Sequence, residues 1–305
     1  MRTIHFFTIV LFVVSLIACT TPSTTQIPPQ PVLLPTNTSQ PEIIQTVTPS
    51  PVSVPTTSCD DWQSWPIVPL VSNSARNLYQ RGQIDGNDPH AFSKVGDGEV
   101  SAEWFFTMFD LGKDYYDLGP YQSLLPAIEN FPGSFGRIGM AARRGFNTNR
   151  ILDPSLRNTE LCESGESPLT CELRFHRPAF VFLSLGTNQV WQPEEFEEGM
   201  RQILEVLLSK HIVPILATKG DNLEGDHRIN RTVACLAQEY DVPLWNFWSA
   251  IQPLPHHGLQ PDLEHLTYGI TDFDDPRALQ SAWAVRNLTA LQVLDAVWRG
   301  VAAQP

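Results

Sequence analysis

The stretch "AFSKVGDGEVSAEWFF", Ala91 to Phe106, sets the fold. Its first half, "AFSKVGD", reads as a buried strand running into a Gly-Asp turn, and its second half opens a helical pattern near 100–114. A strand-to-helix turn is where an α/β enzyme often places a nucleophile or an anion site. Here the residue after Gly96-Asp97 is Gly98, which has no side chain. The stretch is placed like an active-site turn, and its attacking group is absent.

The alternation continues downstream. "AFVFLSLG" (Ala179 to Gly186), "IVPILATKG" and "VPLWNFWS" read as strands, the first being apolar, β-rich and ended by Gly. "RIGMAARRGF" carries a short strand or turn. Between them, "PEEFEEGMRQILEVLLSKH" is an amphipathic helix with Glu early and Lys-His late, as the helix dipole prefers. "DHRINRTVACLAQEY" is helical, and "PRALQSAWAVRNLTALQVLDAVWRGV" is a long closing helix. Repeated strand–helix units imply a parallel sheet with helices on both faces, and such sheets bind ligands at the carboxyl ends of their strands. No internal repeat is visible.

The chain has 305 residues, a formal charge of −13 and 42% hydrophobic residues, enough for one sizeable domain, placed at 59–305. The acidic balance, with no Lys/Arg cluster, argues against nucleic acid. Residues 1–19 read as a signal peptide: Arg2 precedes an apolar run from Ile4 to Ile17, too short for a permanent membrane helix. The run ends in Leu16-Ile17-Ala18-Cys19, which resembles a bacterial lipoprotein signal with Cys19 as the lipidated residue; an ordinary secretory signal with a chance cysteine is the alternative. The first reading implies a lipid-anchored, extracytoplasmic protein. Residues 20–58 are dense in Pro, Thr, Ser and Gln and read as a disordered stalk. The sequons at Asn37, Asn230 and Asn287 carry little weight. Of the other cysteines, Cys162 and Cys171 bracket a polar loop that a disulfide would close, and Cys59 and Cys235 are left to pair. No spacing suggests zinc, and no metal or cofactor is expected.

The residues that follow the strands are Gly96-Asp97-Gly98, then Arg144-Gly145-Phe146-Asn147, then Gly186-Thr187-Asn188, and before the closing helix Asp262-Leu263-Glu264-His265. In this order the chain resembles the SGNH, or GDSL-like, hydrolase family, whose blocks are Gly-Asp-Ser, an isolated Gly, Gly-x-Asn-Asp and Asp-x-x-His. The resemblance runs from about Pro89 to Trp298, though the four short blocks alone carry it. It implies a flavodoxin-like three-layer α/β/α sandwich and hydrolysis of acyl esters, on small molecules or as O-acyl groups on glycans. It makes His265 the base, Asp262 its orienting partner, and the Gly145 N–H and the Asn188 side chain the oxyanion donors. The nucleophile maps to Gly98, a departure from the pattern; Gln189 stands where Asp is usual. Without the hydroxyl, His265 would have to activate water, or Ser101, one helical turn on, would have to substitute; Ser93 lies on the incoming strand. A binding module that kept the cleft, and a structural surface protein with a vestigial cleft, are the alternatives.

Other residues have plainer readings. Asp97 is expected to hydrogen-bond the turn. Lys219, Asp221 and His227 can rim the cleft, but a solvated loop is the simpler reading. His256-His257 reads as loop. Asp275-Pro276 reads as the N-cap of the closing helix, with Asp272 and Asp274 nearby. Trp245 and Trp248 read as strand residues on opposite faces, and Trp104 and Trp191 as possible walls of a sugar-sized pocket.

Overall fold

The structure, a computed structural model, describes residues 58–303. The signal peptide with Cys19, and the stalk up to residue 57, lie outside the described residues.

Four strands form one parallel sheet in the order β1-β2-β3-β4: Asp88–Gly96, Pro178–Ser184, Val213–Ala217 and Leu244–Trp245. β2 is buried along its whole length, as a strand covered on both faces must be. Side chains alternate between two cores. Phe92, Phe180, Phe182, Ile215 and Trp245 face one, against the helices Asn73–Ile84 and Ala282–Ala302. Val95, Val181, Leu183, Leu216 and Leu244 face the other, against Pro193–Ser209 and Arg228–Glu239. The result is a three-layer α/β/α sandwich.

The outer edge of β1 carries a single parallel bridge, Gly96 to Ala142, from the "RIGMAARRGF" segment. Counting that bridge as a vestigial strand, the order matches the flavodoxin-like 2-1-3-4-5, with its switch point between β1 and β2.

Several elements differ from the sequence reading. The expected helix over 100–114 is two short turns, Gly98–Ser101 and Met108–Leu111. Ala102 is extended and Phe106 has φ 70°, so the chain doubles back and buries Phe105, Phe106 and Phe109 together. Asn287 holds this reversal, accepting from Phe106 N at 2.9 Å and donating to Trp104 O at 2.9 Å. The helix Pro193–Ser209 starts with Pro193 and two glutamates, but Lys210 and His211 fall beyond its end. β4 is two residues long, and Trp248 sits on the helix Phe247–Ile251 rather than on a strand. The closing helix begins at Ala282 after Ser281. Asp275 caps only its own turn, accepting from Arg277 N at 2.9 Å.

Both expected disulfides form, Cys59–Cys235 and Cys162–Cys171, closing separations of 176 and 9 residues. Chain-entropy reasoning gives the long closure about 5 kcal/mol and the short one about 2.5 kcal/mol. Among the described residues no helix is long and apolar enough to cross a membrane.

Candidate active site

β1 ends at Gly96, where a Cβ would stand 2.0 Å from the Ser184 carbonyl oxygen; only glycine lets the two strands approach here. Asp97 then caps the turn Gly98–Ser101, its carboxylate accepting from Glu99 N at 3.1 Å, the structural role expected of it. Asp97 is buried, and burial followed by the nearby Glu99 charge pushes its pKa up to about 7. Gly98 is different in kind from Gly96. A Cβ there would meet only Arg144 Cγ, at an ordinary 3.8 Å, and its backbone is not left-handed. A side chain fits at 98; the notch is empty by residue choice, not by backbone need.

The second segment is tied to this turn by main chain: Arg143 N donates to Gly96 O at 3.1 Å, and Gly96 N to Ala141 O at 2.9 Å. Gly145 has φ 78° and open space where a Cβ would stand. The third segment docks beside it, with Asn188 Nδ2 donating to Phe146 O at 3.1 Å. One amide hydrogen of Asn188 is thereby used and the other is uncommitted. Gln189 is buried and its Oε1 accepts from Thr148 N at 3.0 Å and Thr148 Oγ1 at 2.9 Å. Its Nε2 is buried with no hydrogen-bond partner among the described residues.

The fourth segment supplies the Asp262–His265 pair, Oδ2 to Nδ1, at 2.8 Å. Asp262 Oδ1 accepts the backbone N–H groups of His265 and Glu264 at 3.0 and 3.1 Å, and these bonds hold its pKa below the usual range. With Nδ1–H given to Asp262, the basic lone pair of His265 is on Nε2. The pair is about half exposed. Tyr268, three residues after His265, packs edge-on to Trp104 at 5.5 Å between centroids, which brings the last segment alongside the chain leaving the turn of Gly98. The first three segments therefore meet at the carboxyl ends of β1 and β2, at the switch point, and the fourth lies alongside the chain that follows the turn.

Beneath them lies a charged floor that sequence reading missed. Arg286, on the closing helix, is fully buried among Phe105, Trp245, Phe247 and Trp283, with its guanidinium 4.6 Å from the Phe247 ring centroid. Its Nη1 lies 3.0 Å from Glu99 Oε2, and its Nη2 donates to Ser184 Oγ at 3.2 Å. Burial raises the Glu99 pKa and Arg286 opposes that rise. Lys219 and Asp221, read as a solvated loop, are buried instead. Lys219 Nζ donates to Asp221 Oδ1 at 2.6 Å and to Glu224 Oε2 at 2.7 Å, while Thr187 Oγ1 donates to Asp221 Oδ2 at 2.6 Å. Asn230 clamps the Lys219 backbone from both sides, at 2.8 and 2.9 Å. Two of the sequon asparagines, Asn230 and Asn287, are thus buried struts of site loops. The only sequence hint of this floor was Lys219 and Asp221 following a strand; Glu99 and Arg286 gave none.

The remaining candidates have other surroundings. Ser93 is buried and donates to Glu172 at 2.6 Å; Ser101 Oγ turns back to Gly98 O at 3.4 Å. His227 packs edge-on to Trp62 and Trp248. His256 and His257 form a left-handed turn. Trp104 is 44% exposed and packs edge-on against Tyr268, 5.5 Å between centroids, whereas Trp191 is 78% exposed. Among the described residues the one grouping with metal-ligand spacing, Cys162, Glu166 and Cys171, has both sulfurs in a disulfide.

No family model matches the chain, and no curated protein does. Among solved structures it is similar to a GDSL-like lipase from Bacteroides thetaiotaomicron, with 13% identity, a TM-score of 0.42, and coverage of 72% of this chain and 98% of that one. It is also similar to an acetylxylan esterase from Geobacillus stearothermophilus, with 14% identity, a TM-score of 0.41, and coverage of 70% and 95%.

Proposed function

We propose that this chain is an SGNH/GDSL-type protein whose cleft receives acyl esters and cleaves them slowly, because no hydroxyl stands at position 98. The observation that supports this reading is the Asp262–His265 pair at 2.8 Å, in a loop whose Tyr268 packs against Trp104 of the chain that follows Gly98. In this reading a water occupies the notch over Gly98. His265 Nε2 takes its proton as the water oxygen attacks the ester carbonyl, and the Asn188 amide and Gly145 N–H receive the oxyanion. Protonated His265 then gives its proton to the departing alcohol, leaving a carboxylic acid. Loss of the covalent route costs about 10⁴-fold or more. In the same proposal Cys19 carries the lipid anchor and the domain works outside the cytoplasm; incorporation of labelled palmitate, lost in Cys19→Ala, tests that part.

A second reading, a non-catalytic glycan- or ester-binding module, draws on the exposed Trp104 and Tyr268 rings beside the His265 loop, which need no hydroxyl to hold a sugar face. Turnover of 4-nitrophenyl acetate that disappears in His265→Ala supports hydrolysis. No turnover, with saturable binding weakened by Asn188→Ala, supports the module. Gly98→Ser is expected to react with a fluorophosphonate that leaves the parent unlabelled; no labelling in either would overturn the site geometry proposed here.

A further inference from the structure

Resting on that reading, we infer that Arg143 and Arg144 select esters that carry a negative charge. Eight arginines of the described chain are held by a carboxylate: Arg286, deep in the floor, and seven others. Arg143 and Arg144 are exposed and have no side-chain hydrogen bond or ion pair among the described residues. They occupy the two positions before Gly145. The Arg144 stem is the nearest group to the place a side chain at 98 would fill, 3.8 Å away. The Arg143 guanidinium lies 5.9 Å from the ring centroid of Phe146, whose carbonyl anchors Asn188.

Carboxylates outnumber Lys and Arg by 33 to 20 in this chain, and of the seven described arginines without a carboxylate partner Arg143 and Arg144 are the two that adjoin Gly145. Two guanidiniums on adjacent residues, the stem of one at the notch and the head of the other over Phe146 of the proposed oxyanion loop, leave their donors for a ligand. Each has a planar donor fork suited to carboxylate, sulfate or phosphate. Two carboxylates of the cleft are already engaged, Glu99 with Arg286 and Asp262 with His265. The net acidity of the protein repels anions only weakly at this range, since salt screens it over about 8–10 Å. The ligand class is an acyl ester whose acid or alcohol part is anionic, such as an O-acylated acidic sugar.

The test uses Gly98→Ser protein and two matched ester pairs: 4-nitrophenyl hydrogen succinate against 4-nitrophenyl butyrate, and 4-acetoxybenzoate against its methyl ester. The anionic member of at least one pair should have the higher kcat/KM. That ratio should fall about fivefold on adding Arg143→Gln or Arg144→Gln, the scale of one exposed charge pair. Arg144→Lys should keep part of the preference, and 1 M salt should flatten it. If Gly98→Ser takes the fluorophosphonate but neither ratio responds to the arginines or to salt, the charge selection is wrong while the site reading stands. If Gly98→Ser neither labels nor turns over, both fall together.

Discussion

Two close contacts of this molecule, the Lys219–Asp221 ion pair and the Asp262–His265 hydrogen bond, have nearly the same separation, 2.6 and 2.8 Å, and opposite surroundings. The first lies in the floor of the site with side chains 3% and 1% exposed; the second stands on its lip, 54% and 50% exposed for His265 and Asp262. Separation alone says little about what a pair contributes. In the floor, each charge has left water and depends on its partner, so removing one strands the other. On the lip, water screens the attraction and solvates whichever group remains. The floor holds the loops in place, and the lip stays open to solvent.

The comparison can be broken most easily at Lys219. Lys219→Met leaves Asp221 and Glu224 buried without their shared cation and should lower unfolding stability by about 3–5 kcal/mol in urea titrations. A loss below about 1 kcal/mol would mean the floor does not depend on this pair. Next comes Asp97, whose pKa of about 7 lies above its unfolded value. The folded state holds a proton there that the unfolded state gives up, so its contribution is full below about pH 4 and fades as pH rises through 7. Asp97→Asn keeps the capping oxygen and should flatten this decline, which is worth about 1 kcal/mol per pH unit at its steepest. An unchanged pH profile of the urea midpoint would count against a buried, protonated Asp97. Gly98→Ser should shift stability by less than about 0.5 kcal/mol, because the new Cβ meets one atom at contact distance; a larger loss would show that the notch is needed empty. The smallest effect is expected on the lip, where Asp262→Asn should leave the urea midpoint unmoved. A clear shift there would erase the distinction between floor and lip.

The lip was legible in the sequence and the floor was not, for a physical reason. Asp262 and His265 are three residues apart, and a turn brings an i, i+3 pair together without help from the rest of the chain. Glu99 and Arg286 are 187 positions apart in number and meet only because β1 and the closing helix pack in adjacent layers. Lys219 and Asp221 sit in a stretch as polar as any surface loop; Asn230, Thr187 and Glu224 convert it into an interior. The broken helix after Ser101 is a similar case. Its local pattern is helical, but burying Phe105 and Phe106 in one core, with Asn287 satisfying the exposed backbone, outweighs propensity.

Apolar runs ended by glycine, helices opened by Pro and Glu, and cysteine spacing were sufficient to indicate a parallel α/β sandwich with two disulfides, because each is a local property of the chain. Which charges are stranded in the interior, which glycine is required and which merely lacks a side chain, and which arginines have no partner depend on groups distant in sequence. Packing of the layers alone decides those distances and how much water remains between the charges.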